Sequence, residues 1–309
     1  MAVRDAVIVD ALRSPVGRGK AGGALHGHHP VDLLATVLAE LVARSGIDPA
    51  RVDDVIVGCV SQAGQQTFNV ARSAVLAAGL PESVPATTVD RQCGSSQQAL
   101  HFAAQGVLAG SYDIAIAAGV ESMSRVPMGS SMVGQDPFGA RIAARYEGGL
   151  VPQGISAELI AARWDLDRDE LDAFSAASHA RAHAAAEEGR STGRILPLPV
   201  DRGEGPTGET LDRDEGVRPD TTVGTLGALR PAFQDPFWEA RFPDLRWVVH
   251  AGNASQLSDG AAALLVMDRA LAESLGLAPL ARVHTMTVVG DDPILMLTCL
   301  LYTSPSPRD

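Results

Sequence analysis

The stretch 85-PATTVDRQCGSSQQALHFAAQGVLAG-110 passes from a β-branched segment into a helical one, with Cys93 at the join. Thr87–Val89 predicts a strand and the run from Ser95 to Leu108 a helix, so the cysteine falls where a strand hands over to a helix N-terminus. Free amides and the helix dipole favour a thiolate there. The small residues that follow, Gly94 and Ser95, are expected to let backbone N–H groups approach an acyl oxygen, as an oxyanion hole requires. Against this stands the commoner fate of a free cysteine, burial as a small core residue. Cys59, in VIVGCVSQ at another strand end, keeps that reading.

The same strand-then-helix grammar extends to either side. Ala6–Val9, Val55–Val57 and Ile114–Ala118 read as strands, and Val31–Arg44 and Val70–Ala78 as helices. Leu33, Leu34, Val37, Leu38, Leu41 and Val42 form one wide apolar stripe on the first helix. Such alternation implies an α/β fold with a mostly parallel sheet covered by helices. From Met123 to about Val249 the texture turns to Gly, Pro and charge, with helices only near Ile155–Arg163 and Arg168–Glu188. That is too long for a structureless connection, so an inserted subdomain is expected. Strand-like residues return at Ala261–Met267 and Ala281–Val289, around a short helix at Arg269–Leu275. The final 299-CLLYTSPSPRD-309 continues no element, because Ser-Pro-Ser-Pro sustains neither a helix nor a central strand. It is expected to be foreign to the fold, with a longer native chain.

Composition limits the function classes. The 309 residues are 46% hydrophobic and only 4% aromatic, with a formal charge of −12, which argues against a nucleic-acid or anionic-membrane surface. No stretch approaches the roughly 18 apolar residues of a spanning helix, and charges interrupt the apolar run at the start, so no signal peptide is read. Three cysteines, an odd and sparse set, point to a reducing cytoplasm without a disulfide framework.

DRQCGSSQQAL resembles the acyl-cysteine signature of the thiolase family, and further passages agree in order: RSPVGRGKAGGAL, VGCVSQAGQQTFNVAR, AAGVESMSRVPM, LRPAF and HAGNASQLSDGAAALLVMD. The resemblance covers nearly the whole chain up to Thr298. It implies a layered α-β-α-β-α fold of two similar halves with an inserted loop domain, and here an incomplete second half. On that plan residues 1–122 are the N-terminal half with the nucleophile, 123–250 the loop domain on the coenzyme A side, 251–298 the start of the C-terminal half and 299–309 a non-native tail. It implies an acyltransferase that cleaves a 3-ketoacyl-CoA with free CoA, or runs the reverse Claisen condensation, through an acyl-cysteine. Cys93 would be the nucleophile, Ser255 would contact the pantetheine arm and Arg218 the adenine end, where a guanidinium can stack and pair with phosphate. Coenzyme A would be a co-substrate, with no permanent cofactor and no metal. Acyl-CoA and CoA would be the partners, without nucleic acid or membrane, and the full-length parent a homodimer or homotetramer.

The family also uses an Asn in Asn-Glu-Ala-Phe, a His in Gly-His-Pro and a second Cys followed by glycines. None of these follows Asp259, and Cys299 lacks the glycines. The polypeptide is therefore expected to hold the nucleophile without its partners and to be close to inactive alone. A ketoacyl-synthase-like condensing enzyme and a non-catalytic CoA-binding or assembly fragment are the alternatives; the long insertion and GNASQLSDG favour the thiolase side.

Other motifs carry less. Gly27-His28-His29-Pro30 reads as a helix-entry loop, since Pro30 fits a first helical turn. Gly17, Gly19 and Gly22 satisfy a dinucleotide pattern but no helix opens after them. His179 and His183 have a metal-capable spacing with no third ligand nearby, and Asp212–Glu215 reads as a solvated face. The aromatic-rich 233-FQDPFWEARFPDLRWVV-249 reads as an insertion that either lines an acyl channel or oligomer contact, or caps the core.

Overall fold

A computed structural model describes residues 4–302. The described chain forms two compact units. One comprises the residues up to Gly134 with Ser191–Gly216 and Leu257–His284, and the other Gln135–Arg190, Val217–Gln256 and the residues from Thr285 onward. In chain order the strands are β1 (Ala6–Arg13), β2 (Gly17–Arg18), β3 (Asp54–Gly58), β4 (Ala86–Val89), β5 (Ile114–Ser122), β6 (Leu198–Asp201), β7 (Pro206–Leu211), β8 (Ser258–Asp268) and β9 (Ala281–Arg282). The α-helices are α1 (Pro30–Ser45), α2 (Val70–Ala77), α3 (Ser95–Ala109), α4 (Gly139–Arg145), α5 (Gln153–Arg163), α6 (Arg168–Glu187), α7 (Val223–Gly227), α8 (Pro236–Arg241) and α9 (Arg269–Ser274).

The first unit is built on a seven-stranded sheet of order β4-β3-β5-β8-β1-β9, with β2 paired to β8. Its β4-β3-β5 part is parallel, as helical crossovers require. The sheet as a whole is mixed, not mostly parallel, because β8 enters between β5 and β1 antiparallel to both. Strand alternation sets the layers. Val55 and Val57 of β3, and Ile114, Ile116 and Ala118 of β5, join the stripe of α1 and Val70, Ala71, Ala74 and Val75 of α2 in one apolar core. On the opposite face of those strands Gly58 and Gly119 lie against Ser96 of α3. The result is a helix, sheet, helix sandwich around small side chains.

The second half expected to begin at 251 does not begin there: β8 is a central strand of the first sheet, pairing with β5 from Ile114↔Met267 to Ser122↔Asp259. Similarly, Ser191–Gly216 belongs to the sheet unit and not to the insertion. Its contacts explain why: Leu196 N donates to Arg13 O, and Asp214 and Glu215 are tied to the loop after β1. Among the described residues there is one large sheet, so the second sheet of a five-layered arrangement is not found there. The strand expected over 281–289 shrinks to Ala281–Arg282, because pairing antiparallel to β1 brings Val283 to Ala6, where β1 starts and the partner ends.

The second unit has helices and two small apolar clusters. Val151, Ile155 and Trp247 pack with Phe233, Trp238 and Phe242, and Ala161 packs with Val248 and Val249. The aromatic-rich insertion is thus part of this unit's own core. Gly154 of α5 makes room for it, since a Cβ there would fall 2.4 Å from the Phe233 ring. Arg241 lies over the Trp238 and Phe242 rings and donates to the carbonyls of Glu147, Gly148 and Gly149. Leu297–Tyr302 forms a 3-10 turn, and the Ser-Pro-Ser-Pro segment lies outside the described residues.

Candidate active site

Cys93 is exposed, at the turn between β4 and α3. The turn is sharp: Gln92 adopts φ 49°, a left-handed conformation uncommon for a side-chain-bearing residue. Asp90 stabilises it by accepting the Gln92 N–H at 2.6 Å, and Ser95 Oγ both accepts from Arg91 N at 2.9 Å and donates to Gln92 O at 2.5 Å. The thiol therefore projects from a strand-turn-helix elbow, just beyond the carboxyl ends of the parallel strands, where open α/β sheets place their ligands.

Two glycines bring α3 this close to the sheet. A Cβ at Gly58 would meet Ser96 N at 2.3 Å, and one at Gly119 would meet Ser96 Oγ at 1.9 Å. Behind them, Glu121 accepts the N–H groups of Val60 and Ser61 and the Gln66 side-chain amide. Fully buried Gln66 in turn accepts Ser122 N at 2.8 Å and donates to Ser61 O. Sequence reading missed Gln66 and Glu121, although both lie in quoted motifs, because the contact between them spans 55 positions. Cys59 fits its core reading: it is 1% exposed, and burial, then the Glu121 and Asp90 charges, push its thiol up to about 12.

The oxyanion expectation needs correction. Gly94 N donates to Arg91 O at 3.1 Å and Ser95 N to Gln92 O at 2.9 Å, so both amides are engaged within the turn. An acyl oxygen could use either only by displacing a loop carbonyl. Among the described residues no hydrogen bond involves the Cys93 thiol, and His101, two turns along α3, is buried and not its partner. Burial, then the Arg91 charge, holds the His101 imidazole below its usual pKa.

Ser255 and Arg218 belong to the second unit, Cys93 to the first. Ser255 is exposed on the irregular segment after the 250-HAGN-253 turn. Arg218 is exposed too, and its N–H donates to His179 Nδ1 at 3.2 Å while its carbonyl accepts from Thr221 Oγ1. His179 thus serves as a backbone anchor, and burial followed by the Arg218 charge lowers its pKa. The described residues contain no metal-capable cluster of His, Cys, Asp and Glu. His29 caps α1 by accepting Val31 N, the helix-entry role expected of that string. The acidic run is a solvated face only at Asp212 and Arg213, which are exposed; Asp214 instead forms a two-pronged pair with Arg13, and Glu215 accepts the N–H groups of Arg18 and Ala24.

A family model described as thiolase, N-terminal domain, matches residues 6–270. The chain belongs to the thiolase family. This thiolase is 44% identical over 291 residues to a 3-ketoacyl-CoA thiolase of Pectobacterium carotovorum, a match covering 94% of this chain and 71% of that one. It is 40% identical over 307 residues to a steroid 3-ketoacyl-CoA thiolase of Mycobacterium tuberculosis, covering 95% and 69%. The crystal structure of the Bacillus anthracis acetyl-CoA acetyltransferase matches with a TM-score of 0.79 at 34% identity, over 96% of this chain and 73% of that one. The thiolase match runs through β8 and into α9, in accord with β8 completing the first sheet. No helix among the described residues is long and apolar enough to cross a membrane.

Proposed function

We propose that this thiolase transfers acyl groups between coenzyme A thioesters through a thioester on Cys93. The observation that carries this reading is the exposed cysteine on a strained elbow at the helix N-terminus, in contrast to the sealed Cys59. In thiolysis the Cys93 thiolate adds to the 3-keto carbon of a 3-ketoacyl-CoA, and the C2–C3 bond breaks. The electron pair leaves as the enolate of acetyl-CoA, which takes up a proton, and the acyl group stays on sulfur. Free CoA, as its thiolate, then attacks that thioester and carries the acyl group away. Condensation is the reverse. Ser255 is assigned to the pantetheine arm and Arg218 to the adenine end; both are exposed and available to a ligand. The co-substrate is coenzyme A, with no permanent cofactor.

The second reading rests on an observation of its own. The Asn-Glu-Ala-Phe and Gly-His-Pro motifs of the family, and its second Cys followed by glycines, do not occur after Asp259. These residues on their own would then take up an acyl group or bind CoA without sustained turnover. We place the protein in the cytoplasm, in keeping with three unpaired cysteines, and infer assembly of the full-length parent into a homodimer or homotetramer.

The test is incubation with acetyl-CoA followed by intact mass and peptide mapping. One acetyl group on Cys93, absent in Cys93→Ser, is the expected result. CoA binding with Cys93 protected but never acylated would favour the binding fragment, and neither binding nor adduct would overturn both readings.

A further inference from the structure

The turn that carries Ser255 is fixed by buried polar groups that no motif announces. His250 and Asp172 are both fully buried, with His250 Nε2 2.7 Å from Asp172 Oδ1. His250 Nδ1 accepts Gly252 N–H at 3.0 Å, which leaves Nε2 as the donor to the carboxylate. Asn253 closes the ring: its Nδ2 donates to the same Asp172 oxygen at 2.9 Å and to Val248 O at 3.1 Å, while its Oδ1 accepts His250 N at 2.8 Å. His250 O accepts the N–H groups of Asn253 and Ala254. The other Asp172 oxygen faces Arg168 Nε, one turn earlier on α6, as an ion pair at 3.6 Å without a hydrogen bond. Upstream, Glu158 of α5 accepts Val248 N and Val249 N. The turn also has no slack on its outer side, since a Cβ on Gly252 would fall 2.4 Å from Leu226 and 2.8 Å from Leu229.

This is more than a cap needs. A four-residue turn ending two residues before an exposed serine is held by side chains from α5 and α6, through a carboxylate sealed from water. Exposed loops are ordinarily the mobile parts of a fold, and binding a flexible pantetheine arm is costly unless its contacts are preorganised.

We propose that His250, Asn253 and Asp172 are positioning residues that act through the 250–255 turn to set the affinity for the coenzyme A arm, without touching the reacting atoms. The proposal rests on the assignment of Ser255 to that arm. The experiment measures Cys93 acetylation as a function of acetyl-CoA concentration, together with the Kd for free CoA. Asn253→Ala removes three side-chain hydrogen bonds at a partly exposed position, and Asp172→Ala removes the shared acceptor. Asp172→Asn keeps an oxygen where both donors converge.

Expected are an increase of about 10- to 100-fold in half-saturation and in Kd for the two alanine variants, an unchanged acetylation rate at saturation, and near-wild-type behaviour of Asp172→Asn. Should Asp172→Ala fail to fold, Asn253→Ala carries the test. Wild-type labelling with unchanged half-saturation in Asn253→Ala would overturn the proposal and leave the acyl-cysteine reading intact. A fall in the saturating rate with half-saturation unmoved would overturn it as well. Failure of the wild type to bind CoA would overturn the assignment of Ser255, and this proposal with it.

Discussion

The two units hold their functional segments in opposite ways. In the sheet unit the Cys93 elbow is placed by the absence of side chains: Gly58 and Gly119 let α3 close on the strand ends, and the core around them is Ala, Val, Ile and Leu. In the helical unit the Ser255 turn is placed by the presence of polar side chains, Glu158, Asp172, His250 and Asn253, joined by short hydrogen bonds. A non-directional apolar core tolerates local change but forbids added volume. A buried polar ring tolerates little loss, because each removed partner strands a desolvated donor or acceptor.

The largest effect expected from challenging this contrast is chemical. Cys93→Ala should lower acyl transfer by ~10⁴-fold or more, read as loss of the acetyl adduct, whereas Cys59→Ala should leave adduct formation in place. With its thiol at about 12, Cys59 should also resist iodoacetamide at pH 8 in the folded protein, with about one thiolate in 10⁴. Equal alkylation of Cys59 and Cys93 would break the distinction between sealed and presented thiols.

Next comes Glu158→Ala, which strands the buried amides of Val248 and Val249. A loss of about 2–4 kcal/mol is expected, with hydrogen exchange rising at 248–255 before it rises in α3 or β5. Uniform acceleration across both units would show that they do not differ as described. Gly58→Ala should cost about 1–3 kcal/mol, because the atoms it meets are the backbone of Ser95 and Ser96, which cannot rotate away. It should also slow Cys93 acylation, whereas Gly119→Ala should be milder, because it meets the Ser96 side chain, whose hydroxyl can turn and whose Cβ at 2.9 Å needs only a small shift, and not backbone below 3 Å.

The smallest effect is pH-dependent. Burial alone would raise the Asp214 and Glu215 carboxyls. The Arg13 guanidinium and the Val16 N–H outweigh it at Asp214, and the Arg18 and Ala24 N–H groups with the Arg18 guanidinium outweigh it at Glu215, so both lie below the usual range. Carboxylates depressed by folding contribute stability that is present above their unfolded pKa, near 4, and lost as pH falls through their lower folded values. Glu158 is the counterpart in the other unit: burial raises it despite its two amide donors, so its ionisation weakens folding as pH rises through the usual carboxylate range. Denaturant melts of Glu215→Gln against wild type between pH 3 and 7 should converge toward acid, with a gap of about 1 kcal/mol or somewhat more near neutrality. A gap that widened on acidification would reverse the sign and refute the pairing.

What was legible in the sequence follows the same division. The stripe of α1, the strand-helix handover at Cys93 and the family motifs were readable because periodicity and spacing report directly on which face is apolar. The expected elements β3, α2, α3, α5 and α6 match the structure to within about two residues, as helix-boundary uncertainty allows. The place of β8 was not readable: an apolar strand following a long insertion looks like the opening of a new sheet, and only pairing shows it slotted between β1 and β5. The engagement of the Gly94 and Ser95 amides was equally hidden, because it follows from the left-handed twist at Gln92.

By itself, then, the sequence determined the α/β class, the family and the candidate thiol, since all three reside in local patterns of size, polarity and order. Tertiary structure alone decided where the insertion's ends rejoin the sheet, how the Gly94 and Ser95 amides are engaged, and which buried carboxylate steadies the Ser255 turn. Those depend on partners far apart in the chain: Asp172 meets His250 across 78 positions, and Arg13 meets Asp214 across 201. Hydrogen bonds and burial act through distance in space, which a linear pattern does not encode.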